Sequence, residues 1–195
     1  MEYKMKIGTV ELELFSKENS YNNSNNSERM VEIPLAEWFL KRCNYDPTLI
    51  EVGAVTPYYF NVAHLIYDPY DIYEKCIKIR AEYIGYREKT LLSISTIEHI
   101  CKSEADYNKP IEDDDTAVNV LLNMMSAKEY VITFPRRFNE CLDNFAEQEN
   151  EHIIKLKRTQ PRTWEHAQSL NDVWFNVPYP CGNGLYIVTN CKELL

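Results

Sequence analysis

Residues 49–60, LIEVGAVTPYYF, put a carboxylate (Glu51) and a glycine (Gly53) at the end of a short apolar run and follow them with Pro57, Tyr58 and Tyr59. A carboxylate in that place accepts hydrogen bonds from an amine or a hydroxyl, and a glycine lets backbone approach a ligand closely. Asp68 ends the next apolar run, seventeen residues after Glu51. In nucleotide-binding sheets an acidic residue about 20 positions beyond the glycine turn, at the end of the second strand, takes the ribose hydroxyls. Glu51, Gly53 and Asp68 would suit the frame of an adenosine-containing ligand. The same residues also suit a plain turn, because one glycine is not G-x-G-x-x-G. Glu98 and His99 follow a later apolar run, and His99 titrates near neutrality. Its bland role is to cap or pack the segment that follows. Arg136 and Arg137 come directly after Pro135 at the end of another run, where a guanidinium fork suits a phosphate or carboxylate. A solvated charge pair is the competing reading. Tyr58 and Tyr59 suit stacking on a ligand or the core face of a short helix. Asp113 to Asp115 could hold a divalent cation, but a helix N-terminus accounts for them without one, and no metal is expected.

The runs that must position these residues read as strands. TLIEVGA (48–54), HLIY (64–67), CIKI (76–79), TLLSIS (90–95) and EYVITF (129–134) are apolar stretches of four to seven residues. Such runs suit strands buried on both faces. A helix between the fourth and fifth follows Asp113–Asp115, with Val118, Leu121, Leu122 and Met125 at helical spacing. Strand, helix, strand in this order implies a parallel sheet. Upstream, Val10 to Phe15 alternate as one half-covered strand, and residues 31–43 read as a helix entered at Pro34. Residues 16–28 are Asn/Ser-rich and read as a flexible loop. Downstream, VWFNV (173–177) and GLYIVTN (184–190) read as two antiparallel strands joined by PYPCGNG. The stretch 136–172 reads as irregular, with one or two short helices. His152 and His166 lie in it, and His64 reads as structural. Residues 1–30 thus form an N-terminal strand and flexible segment, and 31–195 a single α/β domain.

Composition narrows the partners. With 30 acidic and 21 basic residues the net charge is −9, which argues against a broad phosphate-tracking surface and so against bulk nucleic acid. A hydrophobic share of 45% suffices for a proper core. Six cysteines without a C-x-x-C pair give no metal-site spacing. There is no secretory pattern and no apolar run of membrane-spanning length, so a reduced, cytoplasmic chain is expected, with a small-molecule partner and no membrane. A homo-oligomer stays open.

LIEVGAVTPYY, HLIYDPYD and LLSISTIEHI, in that order, resemble the class I S-adenosylmethionine-dependent methyltransferases. More narrowly they resemble a small bacterial branch found near sugar and polysaccharide genes, with EVGxV, DxYE and SISTxEH elements. ERMVEIPLAEWFL (28–40) is similar to the helix before the first strand of such proteins, and FNVPYPCGNGLYIV to their final hairpin. The resemblance covers most of residues 28–190. It implies a Rossmann-like, mostly parallel sheet with helices on both faces and a C-terminal antiparallel hairpin. It also implies methyl transfer from S-adenosylmethionine to a small acceptor such as a sugar or nucleotide-sugar hydroxyl. Glu51 and Gly53 would hold the methionine end, Asp68 the ribose with Asp71 nearby, and Glu82 would sit near the adenine. Ser95 and Thr96 would line the site, with Glu98 and His99 on the substrate side and His99 as base. Tyr58, Tyr59, Arg136 and Arg137 would face the substrate. Family members carry G-x-G-x-G where this chain has Gly53, Val55 and Pro57. The rival reading is therefore a binding or assembly protein on the same fold that has lost the cofactor.

Overall fold

A computed structural model describes residues 3–17, 27–100, 115–149, 151–173 and 182–195. The main sheet has eight strands in the order β5-β4-β3-β6-β7-β10-β8-β9. Five of them, β3 (Ile50–Val52), β4 (Leu65–Tyr67), β5 (Cys76–Ile77), β6 (Thr90–Ile94) and β7 (Glu129–Pro135), run parallel to one another. These are the five apolar runs, and the central ones are buried on both faces, as continuous hydrophobic strands must be. β10 (Gly184–Thr189) is reversed and lies between β7 and β8 (Ile153–Gln160), antiparallel to both. β8 makes the terminal hairpin with β9 (Thr163–Ala167).

Helices cover both faces. On one side α1 (Arg29–Arg42) packs its Val31, Leu35 and Phe39 with Leu92, Ile94 and Val131 of the central strands. On the other side α2 (Thr116–Met124) and α3 (Glu140–Gln148) pack against Ile50, Leu91 and Ile132. The membrane question reduces to one fact: among the described residues no helix is long and apolar enough to cross a bilayer.

Several boundaries differ from expectation, each for a local reason. Residues 4–13 form a hairpin, β1 (Lys4–Ile7) and β2 (Val10–Glu13), in place of one strand. Gly8 makes the turn at φ +56°, and a Cβ there would lie 2.4 Å from the Glu193 carbonyl oxygen, so only glycine fits. The chain between Ile7 and Val10 therefore reverses, and both strands bury alternate residues over α1. α1 starts at Arg29, which leaves Pro34 inside it. Pro34 has no N–H for the Met30 carbonyl, and the Phe15 N–H takes that acceptor at 2.9 Å. The proline thereby opens a docking point for the strand that crosses the helix. α2 has the expected position but is rotated: Ala117, Val120, Leu121 and Met124 are buried while Leu122 is 48% exposed. The stretch 136–172 holds α3, β8 and β9, where charged residues alternate with Ile153, Leu156 and Trp164. Residues 174–177 of the expected VWFNV strand, and Asp113 and Asp114, lie outside the described residues.

Candidate functional site

Connections from β3 lead to β4 and β5 on one side, and β6 and β7 lie on the other, so the order reverses between β3 and β6. Crevices at such reversal points, outside the carboxyl ends of the strands, are where open α/β sheets bind ligands. A cleft lies there. Its walls include Gly53 after β3, Asp68 after β4, Arg80 and Glu82 beyond β5, and Thr96 and His99 after β6. The described walls enclose about 50 Å³.

Gly53 is at φ +86°, and a Cβ on it would fall 1.8 Å from the Thr96 hydroxyl. The two strand ends are thus closed against each other, and no other residue fits at 53. Asp68 Oδ2 accepts from the Ala54 N–H at 3.1 Å, and Oδ1 from the N–H groups of Tyr70 and Asp71 at 2.8 and 2.9 Å. That orients the carboxylate at the cleft wall and leaves it lone-pair capacity, since two oxygens carry about four acceptor sites. Glu82 Oε1 accepts from Arg80 Nη2 at 2.6 Å.

Glu51 does not line the cleft. It is fully buried beneath the loop after β3. Its Oε1 accepts from the N–H groups of Val55 at 3.1 Å and Thr56 at 2.8 Å. Its Oε2 accepts from the Thr56 hydroxyl and lies 2.8 Å from His64 Nε2. One carboxylate therefore organises a loop in which the only helical turn is a single 3-10 turn at Thr56–Tyr58. This also accounts for His64.

Beyond β6 the chain passes through a 3-10 turn at Ile97–His99. His99 is 6% exposed and lines the cleft, with its ring edge-on to Phe138 at 6.2 Å and Nε2 3.5 Å from Glu98 Oε1. Glu98 lies behind it, 1% exposed, and its Oε2 has no hydrogen-bond partner among the described residues. Burial, reinforced by the nearby Glu32 and Glu28 and opposed by Arg29, holds the Glu98 carboxyl well above the usual range.

Ser95 faces away from the cleft, because its hydroxyl donates to Glu32 Oε1 at 2.6 Å. Arg136 donates to the Val173 carbonyl and to Asn171 Oδ1, both at 3.3 Å, and the Arg137 N–H donates to Asp143 Oδ2 at 2.8 Å. Those bonds tie β7 to α3 and the segment before β10, and neither arginine is on the cleft wall. The Tyr58 hydroxyl donates to Asp71 Oδ1 at 2.8 Å, and burial with that carboxylate pushes its phenol up to about 12. Tyr58 and Tyr59 open on a second groove of about 510 Å³, bounded by Phe15, Ile33, Pro34 and Glu37. The Tyr59 ring meets Phe15 edge-on at 5.4 Å. His166 Nε2 contacts the Lys6 carbonyl oxygen at 3.0 Å, away from both.

Three buried charged residues were not foreseen: Glu28, Arg29 and Glu32 at the start of α1. Glu32 forms an ion pair with Arg29 and also accepts from the Thr133 hydroxyl at 2.5 Å. Glu28 Oε2 accepts from the Gly182 N–H at 2.6 Å. Burial, with Glu32 beside it, raises the Glu28 carboxyl to about 7. The signal was present in ERMVEI: charges interleaved with Met30, Val31 and Ile33 leave a helix no polar face to put them on. Among the described residues no cluster of His, Cys, Asp or Glu could hold a metal ion.

Comparison of the chain with protein-family models, with curated proteins and with solved structures gives no match.

Proposed function

We propose that the cleft between β3 and β6 takes the nucleoside part of S-adenosylmethionine and that the chain transfers its methyl group to a small acceptor, a sugar or nucleotide-sugar hydroxyl. The observation that carries this is the engagement of the loop after β3. A phosphate-bearing nucleotide needs free backbone N–H groups there, at the start of a helix. Here the Val55 and Thr56 N–H groups are turned inward onto Glu51, and only one 3-10 turn follows. Two carboxylates, Asp68 and Glu82, stand on the wall instead. That combination disfavours NAD or ATP and favours a nucleoside without phosphates that carries positive charge. The strand order supports the same reading. Numbering from β3, it is third-second-first-fourth-fifth-eighth-sixth-seventh, and its first five positions follow a Rossmann-like order that reverses at the cleft.

The residues fit the ligand in part. Asp68 is oriented and has acceptor capacity for ribose hydroxyls, and Gly53 allows close approach. When bound, S-adenosylmethionine supplies an electrophilic methyl carbon on sulfonium. His99, at the cleft wall, takes the acceptor hydroxyl's proton, and Glu98 behind it sets the ring's position. Glu51 contributes by fixing the loop, not by touching the ligand.

The small volume between the described walls favours the second reading, a binding protein on this fold. About 50 Å³ is well under the roughly 300–1,000 Å³ of ligand pockets. Titration calorimetry with S-adenosylmethionine, S-adenosylhomocysteine, NAD and ATP separates the two. Micromolar binding of the first pair alone is expected. No binding at millimolar ligand by a folded protein overturns the cofactor reading and leaves the binding protein.

A further inference from the structure

We propose that Glu32, on α1, is a positioning residue for the cleft and acts through Ser95. The proposal rests on the reading of this cleft as the ligand site. Ser95 is the first residue after β6 and sits at φ +39°, in the left-handed region that a side chain with a Cβ adopts only at a cost. Outliers of this kind persist where the surroundings over-determine them.

The surroundings here are specific. The Ser95 N–H donates to the Thr133 carbonyl at 3.0 Å, which continues the β6–β7 ladder by one step. Its hydroxyl donates to Glu32 Oε1 at 2.6 Å, and the Thr133 hydroxyl donates to the same oxygen at 2.5 Å. The other Glu32 oxygen is held by Arg29. Glu32 is fully buried, so this carboxylate has exchanged water for two hydroxyls and a guanidinium. A buried ion pair of this kind is weak evidence of stabilisation, because apolar residues of the same volume often do as well. What it does provide is direction. With Ser95 turned left-handed, the next residue brings its hydroxyl against Gly53, and the 3-10 turn that follows puts His99 on the cleft wall. An ordinary negative φ at 95 would send Thr96 and His99 elsewhere. α1 thus reaches through the sheet end to set the floor of a cleft it does not line.

Glycine at 95 separates this role from simple satisfaction of Glu32, because glycine holds a left-handed φ without help. The test compares Ser95→Ala, Ser95→Gly, the pair Arg29→Met/Glu32→Met, and that pair combined with Ser95→Gly. Two readouts are used: hydrogen-exchange protection of the His99 N–H, which bonds to the Thr96 carbonyl at 3.0 Å, in the ligand-free protein, and S-adenosylhomocysteine affinity. Ser95→Ala and the Met pair should each lower His99 protection and weaken binding by at least about fivefold. Ser95→Gly should keep both within about threefold, and should restore both in the Met-pair background. Ser95→Gly as damaging as Ser95→Ala, or no restoration, overturns the proposal. If the wild-type protein binds no S-adenosylhomocysteine, the cofactor reading fails by itself, and the exchange pattern still decides the role of Glu32.

Discussion

Two turns face each other across the cleft, and they are held by opposite means. The turn after β3 is fixed from within: Glu51 sits in the strand itself and gathers donors four, five and thirteen residues further along. The turn after β6 is fixed from outside: Glu32 lies 63 residues earlier, on a helix that packs over the sheet. The first arrangement spends the loop's backbone donors on a carboxylate and leaves none for a phosphate. The second leaves its own acid, Glu98, buried with one oxygen unpartnered among the described residues, and burial raises its carboxyl well above the usual range. Buried carboxyls therefore behave in two ways within one site. One gathers donors and organises its surroundings, while burial raises the other's carboxyl well above the usual range.

The sharpest way to break that contrast is to remove each carboxylate. Glu51→Ala leaves two backbone N–H groups, the Thr56 hydroxyl and His64 buried without their acceptor. It should cost about 3–5 kcal/mol in urea unfolding. Glu98→Gln, which keeps the shape of a carboxyl that burial already raises well above the usual range, should cost under about 1 kcal/mol at pH 7. Similar losses from the two would mean that Glu98 is charged in the fold.

Gly53→Ala attacks the seam where the turns meet. With φ at +86° and Thr96 in the way, it should cost about 2–3 kcal/mol, and ligand binding should fall with it. Asp68→Ala is milder for the fold and more telling for function. S-adenosylhomocysteine affinity should drop tenfold or more, because a charge-assisted hydrogen bond contributes about 1.5–3 kcal/mol. Unchanged affinity in a folded Asp68→Ala variant would remove the ribose role from the β4 end.

The same contrast explains what the sequence could tell. The five parallel strands were legible because burial on both faces writes itself as unbroken apolar runs, and the cleft residues Gly53, Asp68, Thr96 and His99 were legible because each lies at or just beyond the end of such a run. Glu51 was noticed for its place but not for its direction. Side chains alternate along a strand, and nothing in LIEVGA says which face carries the loop. Ser95 was misdirected because its partner, Glu32, is distant in the chain. Arg136 and Arg137 read as a rim pair because nothing in the sequence shows that the chain returns Asn171 and Val173 to Arg136, or that the Arg137 N–H turns onto Asp143 of α3. Residues 153–167 alternate as strands do, but their charged residues masked it, since one side of that hairpin is partly open to water.

The most gradual effect, spread over pH, concerns the acids that surround the β6 turn. Glu28 has an ordinary value of 4.5 and is raised to about 7 in the fold, chiefly by burial. A raised carboxyl means that the folded chain binds this proton more tightly than the unfolded chain does. Its contribution to stability is complete below about 4.5, shrinks as pH rises from there to about 7, and changes no further above. Asp143, raised from 3.8 to about 7 by burial, acts with the same sign. Stability should therefore fall between pH 4.5 and 7 in wild-type protein, as far as these groups control it. Glu28→Gln keeps an oxygen for the Gly182 N–H and has no proton to lose, so its unfolding free energy should decline less steeply over that window. Asp143→Asn should flatten the profile further, and the two changes should add because they sit on different elements. Parallel profiles for wild type and Glu28→Gln, measured by urea unfolding at half-unit steps of pH, would mean that Glu28 is ionised in the fold. The Gly182 clasp would then be a charged contact.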